Sequence, residues 1–192
     1  MVKFVKDKTD LTRISSVLSL FTLVAFHGPF FRLVLDNIES GFNGALIAGG
    51  LGVIMFSLNF LVYYLVLFLG RFVGKCILAA TFIGNAISLY FINTYQVLIT
   101  DKMMGNVFNT RYSEASGFFS WSAVWYLLFL GVVPCIYIFA RRFDYGSRKR
   151  FFARTGIALA VSLAIALINM QNWPWIDRNA TKLGSLVLPW SY

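Results

Sequence analysis

Charge is scarce in this chain. Only 13% of its 192 residues are Asp, Glu, Lys or Arg, whereas soluble domains carry roughly a quarter. So few charges cannot clothe an aqueous surface, so the composition is that of a membrane protein. Histidine and cysteine are nearly missing as well. There is one His (His27), two Cys (Cys76 and Cys135), and no CxxC. Metal sites need clusters of these ligands, so no metal and no cofactor is expected in this chain. Cys76 and Cys135 read as small buried apolar residues. Strand-type alternation is absent, which excludes a β-barrel. No small-residue cleavage motif follows the first apolar run, where HGPFFR stands instead. The basic start MVKFVKDKTDLTR therefore precedes an uncleaved span, not a signal peptide.

What is present is apolar: 58% hydrophobic, 18% aromatic, with a mean hydropathy of +0.71. Five uncharged runs stand out, Ile14–Phe31, Ala45–Gly70, Cys76–Thr100, Ala115–Ala140 and Thr155–Ile176. Each is about the ~18–20 residues a helix needs to cross a bilayer, or longer. The fold class expected is an all-α integral membrane protein of five transmembrane helices, over about 12–33, 44–70, 74–98, 117–141 and 153–173. A short interfacial helix over about 101–115 is expected in the loop between the third and fourth.

Net charge is +9, but the placement of the charges speaks against nucleic acid. Lys3, Lys6, Lys8, Arg13, Arg71, Lys75, Arg141, Arg142, Arg148, Lys149, Arg150 and Arg154 fall on one side of a five-span topology. Arg32, Lys102, Arg111, Arg178 and Lys182 fall on the other. Positive residues collect on the cytoplasmic face, so the N-terminus is expected inside and the C-terminus outside.

Local signals refine the spans. Pro29 predicts a kink or an end in the first, and Pro134 a kink in the fourth. His27, near the end of its span, reads as satisfied by water or a backbone carbonyl and not as a functional titrating group. Asn59 and Asn85, the amides well inside the middle spans, read as helix–helix hydrogen bonds. Gly70 and Gly74 form a GxxxG, but it straddles a turn with Arg71 and Lys75 and is weak as a dimer motif. Tyr90–Tyr95 and Phe118–Tyr126 read as aromatic belts. Residues 173–192 are expected to begin a linker. The apolar stretch Ser185–Tyr192 reads as chain cut within a connection.

The stretch DKMMGNVFNTRYSE, Asp101–Glu114, has a polar pattern of its own. Asn106, Thr110 and Glu114 recur every four residues and would stack along one helix face. Met104, Val107, Phe108 and Tyr112 fall on the opposite face, as in a helix lying in the membrane interface. A solvated helix face is the plain reading. A lipid headgroup site is the other, in which Glu114 pairs with an ammonium while Asn106 and Thr110 donate to phosphate oxygens.

Thr94–Tyr95, Met103, Asn106, Thr110 and Glu114 fit TY-x7-M-x2-N-x3-T-x3-E. This pattern resembles the membrane domain of the lipid A phosphoethanolamine transferases, which include the mobile colistin-resistance enzymes. Five spans, an inside N-terminus and the aromatic pair Phe30–Phe31 agree in outline. Thr100 stands where the family would have an acidic residue one position before Asp101. The resemblance implies substrate binding at Asn106, Thr110 and Glu114, with phosphatidylethanolamine as donor. It also implies that the membrane is a bacterial inner membrane, and that a periplasmic alkaline-phosphatase-like domain, with zinc and a threonine nucleophile, is the partner of this one. On that reading no catalytic residue lies in this chain. Two alternatives stay open from the sequence: the anchor of a phosphoglycerol transferase, or a stand-alone transporter subunit or assembly factor.

Overall fold

The structure, a computed structural model, describes residues 8–96 and 120–189. They form an all-helical membrane domain: α1 (Leu11–Phe26), α2 (Gly28–Asn37), α3 (Phe42–Gly70), α4 (Phe72–Tyr95), α5 (Trp121–Ala140), α6 (Arg148–Ile168) and α7 (Trp173–Gly184). Helices α3, α4, α5 and α6 are each long and apolar enough to cross a bilayer. Helices α1 and α2 meet the same test together, as one broken span bent by 60°, which brings the number to five. The stretch 97–119, with the expected interfacial helix, lies outside the described residues.

The break falls at His27, the residue between the two helices. Pro29 occupies the first turn of α2, where a missing N–H costs nothing, so the proline starts a new helix instead of kinking the old one. The His27 ring is fully buried and its Nδ1–H donates to the Thr22 carbonyl at 3.0 Å. Nδ1 is thus satisfied by a backbone carbonyl as expected, while the buried Nε2 has no hydrogen-bond partner among the described residues.

Helices α1, α3 and α4 pack around Phe82, whose ring lies 5.9 Å from Phe21, 6.1 Å from Phe26 and 5.9 Å from Tyr63. Beside it, Thr22 and Tyr63 share a buried 2.9 Å hydrogen bond between α1 and α3. One turn away Asn59 is 1% exposed, yet no described residue bonds either atom of its carboxamide. The expected helix–helix bond to Asn59 is therefore not made by the described residues.

At one end the chain is clasped. Thr9–Asp10 and Phe143–Asp144 pair as two short parallel strands, and Thr9 N–H donates to the Arg142 carbonyl at 2.9 Å. Asp10 caps α1 by accepting from Thr12 N–H at 2.7 Å, and forms an ion pair with Arg154 of α6 at 2.8 Å. Arg154 also reaches Thr12 Oγ1. Lys75 donates to the Arg141 carbonyl at 2.7 Å and lies 4.4 Å from the Phe143 ring centre. Arg71 lies over Tyr145 at 5.3 Å. Burial acts to raise the Asp10 carboxyl. The hydrogen bonds from Thr12 and Arg154 and the Arg154 charge outweigh that and hold it below its ordinary 3.8. Gly74 belongs to this end as well: a Cβ there would run into the Val66 carbonyl, so the GxxxG glycine serves the tight α3–α4 turn.

In α5 the residues Leu127–Val132 form a π-helical turn just before Pro134, which sits in the first turn of the α-helical section that follows. The wider turn absorbs the donor that proline lacks, so the expected kink takes the form of a π-bulge. Helix α6 starts at Arg148, about five residues before the expected span start near 153. Ser147 caps it, accepting from Arg150 N–H at 3.4 Å, and the cations of its first turn extend into solvent. Its packing face is narrow: Phe151, Arg154, Thr155, Ala158, Ser162, Ile165 and Ala166 are buried or half-buried, and the rest is exposed. Phe151 stacks on Phe68 at 4.2 Å and on Tyr64 at 5.3 Å. At the far end, Gly50 of α3 leaves room for the Asn169 amide, which a Cβ would displace.

Residues expected to begin a linker are helical over Trp173–Gly184, with Pro174 in the first turn. Helix α7 docks through Trp175, whose Nε1–H donates to the Asn37 carbonyl at 3.0 Å.

Packing outweighs hydrogen bonding in this core. Phe82→Ala is expected to cost ~3–5 kcal/mol, and Tyr63→Phe only ~0.6 kcal/mol, by reversible unfolding in detergent. The Asp10 contribution has a definite sign. A depressed carboxyl stabilises above its unfolded value and loses that contribution as pH falls through the folded one. Thermal stability of the wild type should drop on acidification below about pH 4, and Asp10→Asn should remove that component of the drop while lowering stability at pH 7.

Candidate functional site

Asn106, Thr110 and Glu114 lie outside the described residues, so their geometry is not on view. The structure does define the frame on which their segment is mounted. Helix α4 ends at Tyr95, and Gln96 takes a left-handed conformation with φ 55°. The chain is described again from Ser120, the N-cap of α5. These two borders meet at one place.

Tyr90 is the meeting point. Its hydroxyl shares a 2.8 Å hydrogen bond with Ser120 Oγ and a 3.4 Å contact with the Tyr95 hydroxyl. Ser120 Oγ also accepts from Ala123 N–H at 3.2 Å, so one hydroxyl both caps α5 and ties it to α4. Asn93 Nδ2 donates to the Tyr126 hydroxyl at 3.0 Å, a second tie between the same helices. The rings close over these bonds edge to face: Tyr90 with Phe91 at 5.4 Å, with Tyr95 at 5.9 Å and with Tyr126 at 5.8 Å. Outside them Trp121 and Trp125 are exposed, and Trp125 stacks on Phe129 at 5.5 Å.

Such a collar of Tyr and Trp is suited to the boundary between acyl chains and headgroups, apolar on the ring faces and polar at the tips. Sequence reasoning placed Tyr90, Tyr95, Trp121, Trp125 and Tyr126 in belts but did not join α4 to α5 through them. Ser120 was missed as a functional position. The signal for it is local: a serine directly before the apolar run Trp-Ser-Ala-Val is an N-cap pattern.

Among the described residues no three His, Cys, Asp or Glu side chains gather where they could hold a metal ion. Cys135 is half-buried and packed as expected, its Sγ–H directed at the Ala79 carbonyl at 3.5 Å, whereas Cys76, expected to be buried, is exposed on α4.

A broken first span, four further spanning helices and an aromatic collar at the α4–α5 border define a polytopic membrane domain, and comparison with known proteins gives its kin. A family profile described as "Phosphoethanolamine transferase EptA/EptB" matches residues 55–192. The chain belongs to this family. A curated relative, phosphoethanolamine transferase EptA of Helicobacter pylori (strain ATCC 700392 / 26695), is 35% identical over 108 residues, covering 56% of this chain and 21% of the relative. Among solved structures, the integral membrane protein lipooligosaccharide phosphoethanolamine transferase A (EptA) from Neisseria meningitidis superposes with a TM-score of 0.84 at 21% identity. That match covers 96% of this chain and 35% of the other, and it supports the fold. The chain thus spans about a third or less of the length of the proteins it matches.

Removing the shared hydroxyl tests the frame. Ser120→Ala loses a cap and an interhelical bond together and is expected to cost ~0.5–2 kcal/mol. Tyr90→Phe loses the interhelical bond but keeps the cap and should cost less. The order of the two in detergent unfolding checks the assignment, and equal costs would refute it.

Proposed function

We propose that this chain is the membrane-anchoring and donor-lipid-binding domain of a phosphoethanolamine transferase. The reaction moves phosphoethanolamine from phosphatidylethanolamine to lipid A or a related cell-envelope glycan. Family membership supports the reaction class. The observation that carries the donor site is the pairing of the Asn106–Thr110–Glu114 register with the hydroxyl-bridged collar that borders it. Tyr90 and Ser120 tie the two borders of the segment 97–119 together at an interface-type surface.

Glu114 would pair with the donor ammonium, and Asn106 and Thr110 would donate to its phosphate oxygens. Those contacts orient a lipid and perform no chemistry. The transfer step belongs to a periplasmic domain with zinc and a threonine nucleophile, for which the described residues offer no ligand set. In this proposal the basic, clasped end faces the cytoplasm and the collar faces the periplasm of a bacterial inner membrane.

Glu114→Ala in the complete enzyme is expected to lower kcat/KM for phosphatidylethanolamine by about ten- to a hundredfold, the worth of one charge-assisted hydrogen bond. An analogue without the amine should be used poorly by the wild type and no worse by the variant. Unchanged transfer by Glu114→Ala would sink the donor-site assignment. Better use of an amine-free phosphoglycerol donor would move the chain to that other transferase class.

A further inference from the structure

At the clasped end, opposite the collar, the cations outnumber their partners. Arg154–Asp10 is the one ion pair among the described residues. Arg13, Arg71, Arg142, Arg148, Lys149 and Arg150 are exposed around it. Asp144, the described carboxylate left at this end, is exposed and accepts from Gly146 N–H at 3.1 Å. Three of the cations, Arg148, Lys149 and Arg150, are consecutive in the first turn of α6.

Below them α6 presents apolar side chains that no described residue covers. Phe152 is 69% exposed, Leu159 54% and Leu163 62%. By the 3.6-residue period these three share one face with Arg148, Lys149 lies at the margin of that face, and Arg150 lies on the other side of the helix. A cationic head above an apolar column has the chemistry of an anionic phospholipid in negative. The phosphate meets the guanidinium and ammonium groups, and the acyl chains lie along the helix. A soluble acidic peptide would leave the column bare, and a zwitterionic lipid would leave the cationic surplus unmatched.

We propose that an anionic phospholipid seats on this edge of α6, its phosphate held by Arg148 and Lys149 and its chains against Phe152, Leu159 and Leu163. The site shares no residue with the donor site and stands or falls apart from it.

The test uses the purified full chain in detergent, with lipid retention read by native mass spectrometry. Phosphatidylglycerol should be retained at least about tenfold over phosphatidylcholine, and less so as salt rises. The double variant Arg148→Gln, Lys149→Gln should lose that preference with its thermal stability kept, since both side chains are exposed. The variant Arg178→Gln, Lys182→Gln, at the other end, should keep it. Glycerophosphoglycerol, the headgroup without chains, should not displace the lipid at equal concentration. The proposal is overturned if the Arg148/Lys149 variant retains phosphatidylglycerol as the wild type does. It is overturned equally if the Arg178/Lys182 variant loses as much, which would make the effect one of bulk charge, or if the chain-free headgroup competes evenly.

Discussion

The contact on which the architecture depends is Asp10 with Arg154, which joins residues 144 apart in sequence. Asp10 ends the strand pair, caps α1 and neutralises a guanidinium on α6 in one position. A membrane bundle has no hydrophobic drive between its helices, because lipid is as apolar as leucine, so polar ties at the ends set which helix lies where. Here the carboxylate fixes the start of the first span against the start of the last. Lys75 and Arg71 add the α3–α4 turn to the same knot through a carbonyl and two aromatic faces.

The opposite end uses a different chemistry for the same purpose. Among the described residues, neutral hydroxyls, an amide and edge-to-face rings join α4 to α5. The contrast suits the proposed donor site. A charged knot at the collar would compete for a zwitterionic headgroup, whereas hydroxyls on aromatic rings leave the surface open to phosphate and ammonium alike. Between the ends, Phe82 and its ring neighbours supply shape, and Thr22–Tyr63 supplies register.

Much of this was legible in the sequence, for physical reasons that can be named. Uncharged runs located the crossing helices because no charged side chain can stay in acyl chains without a partner. Pro29 announced the broken first span. What escaped lay where composition and conformation part company. Arg148–Arg150 are helical although charged, since their stems reach water while their backbone continues α6. Trp173–Gly184 was read as linker, yet Pro174 in a first turn is a helix start, and Trp175 finds the Asn37 carbonyl. Two-residue strands such as Thr9–Asp10 carry no periodicity to detect. Asn59 was assigned a bond across helices that no described side chain provides. The motif residues Asn106, Thr110 and Glu114 rest on their register alone.

The narrow packing face of α6 bears on how the domain is made. An 18-residue stretch of this helix has a mean hydropathy of 2.1, so by length and composition the segment can cross a bilayer. Ala158 and Ser162 present little bulk to α3, so the middle of the helix adds few contacts that must be matched residue by residue. Its position is set near the two termini, by Arg154 with Phe151 at one and by Asn169 beside Gly50 at the other. Biogenesis of the last span therefore divides into insertion, governed by composition, and docking, governed by two small clusters about one bilayer apart. A lesion in either cluster would leave α6 fully inserted and unassembled, a defect of quaternary-like order within a single chain.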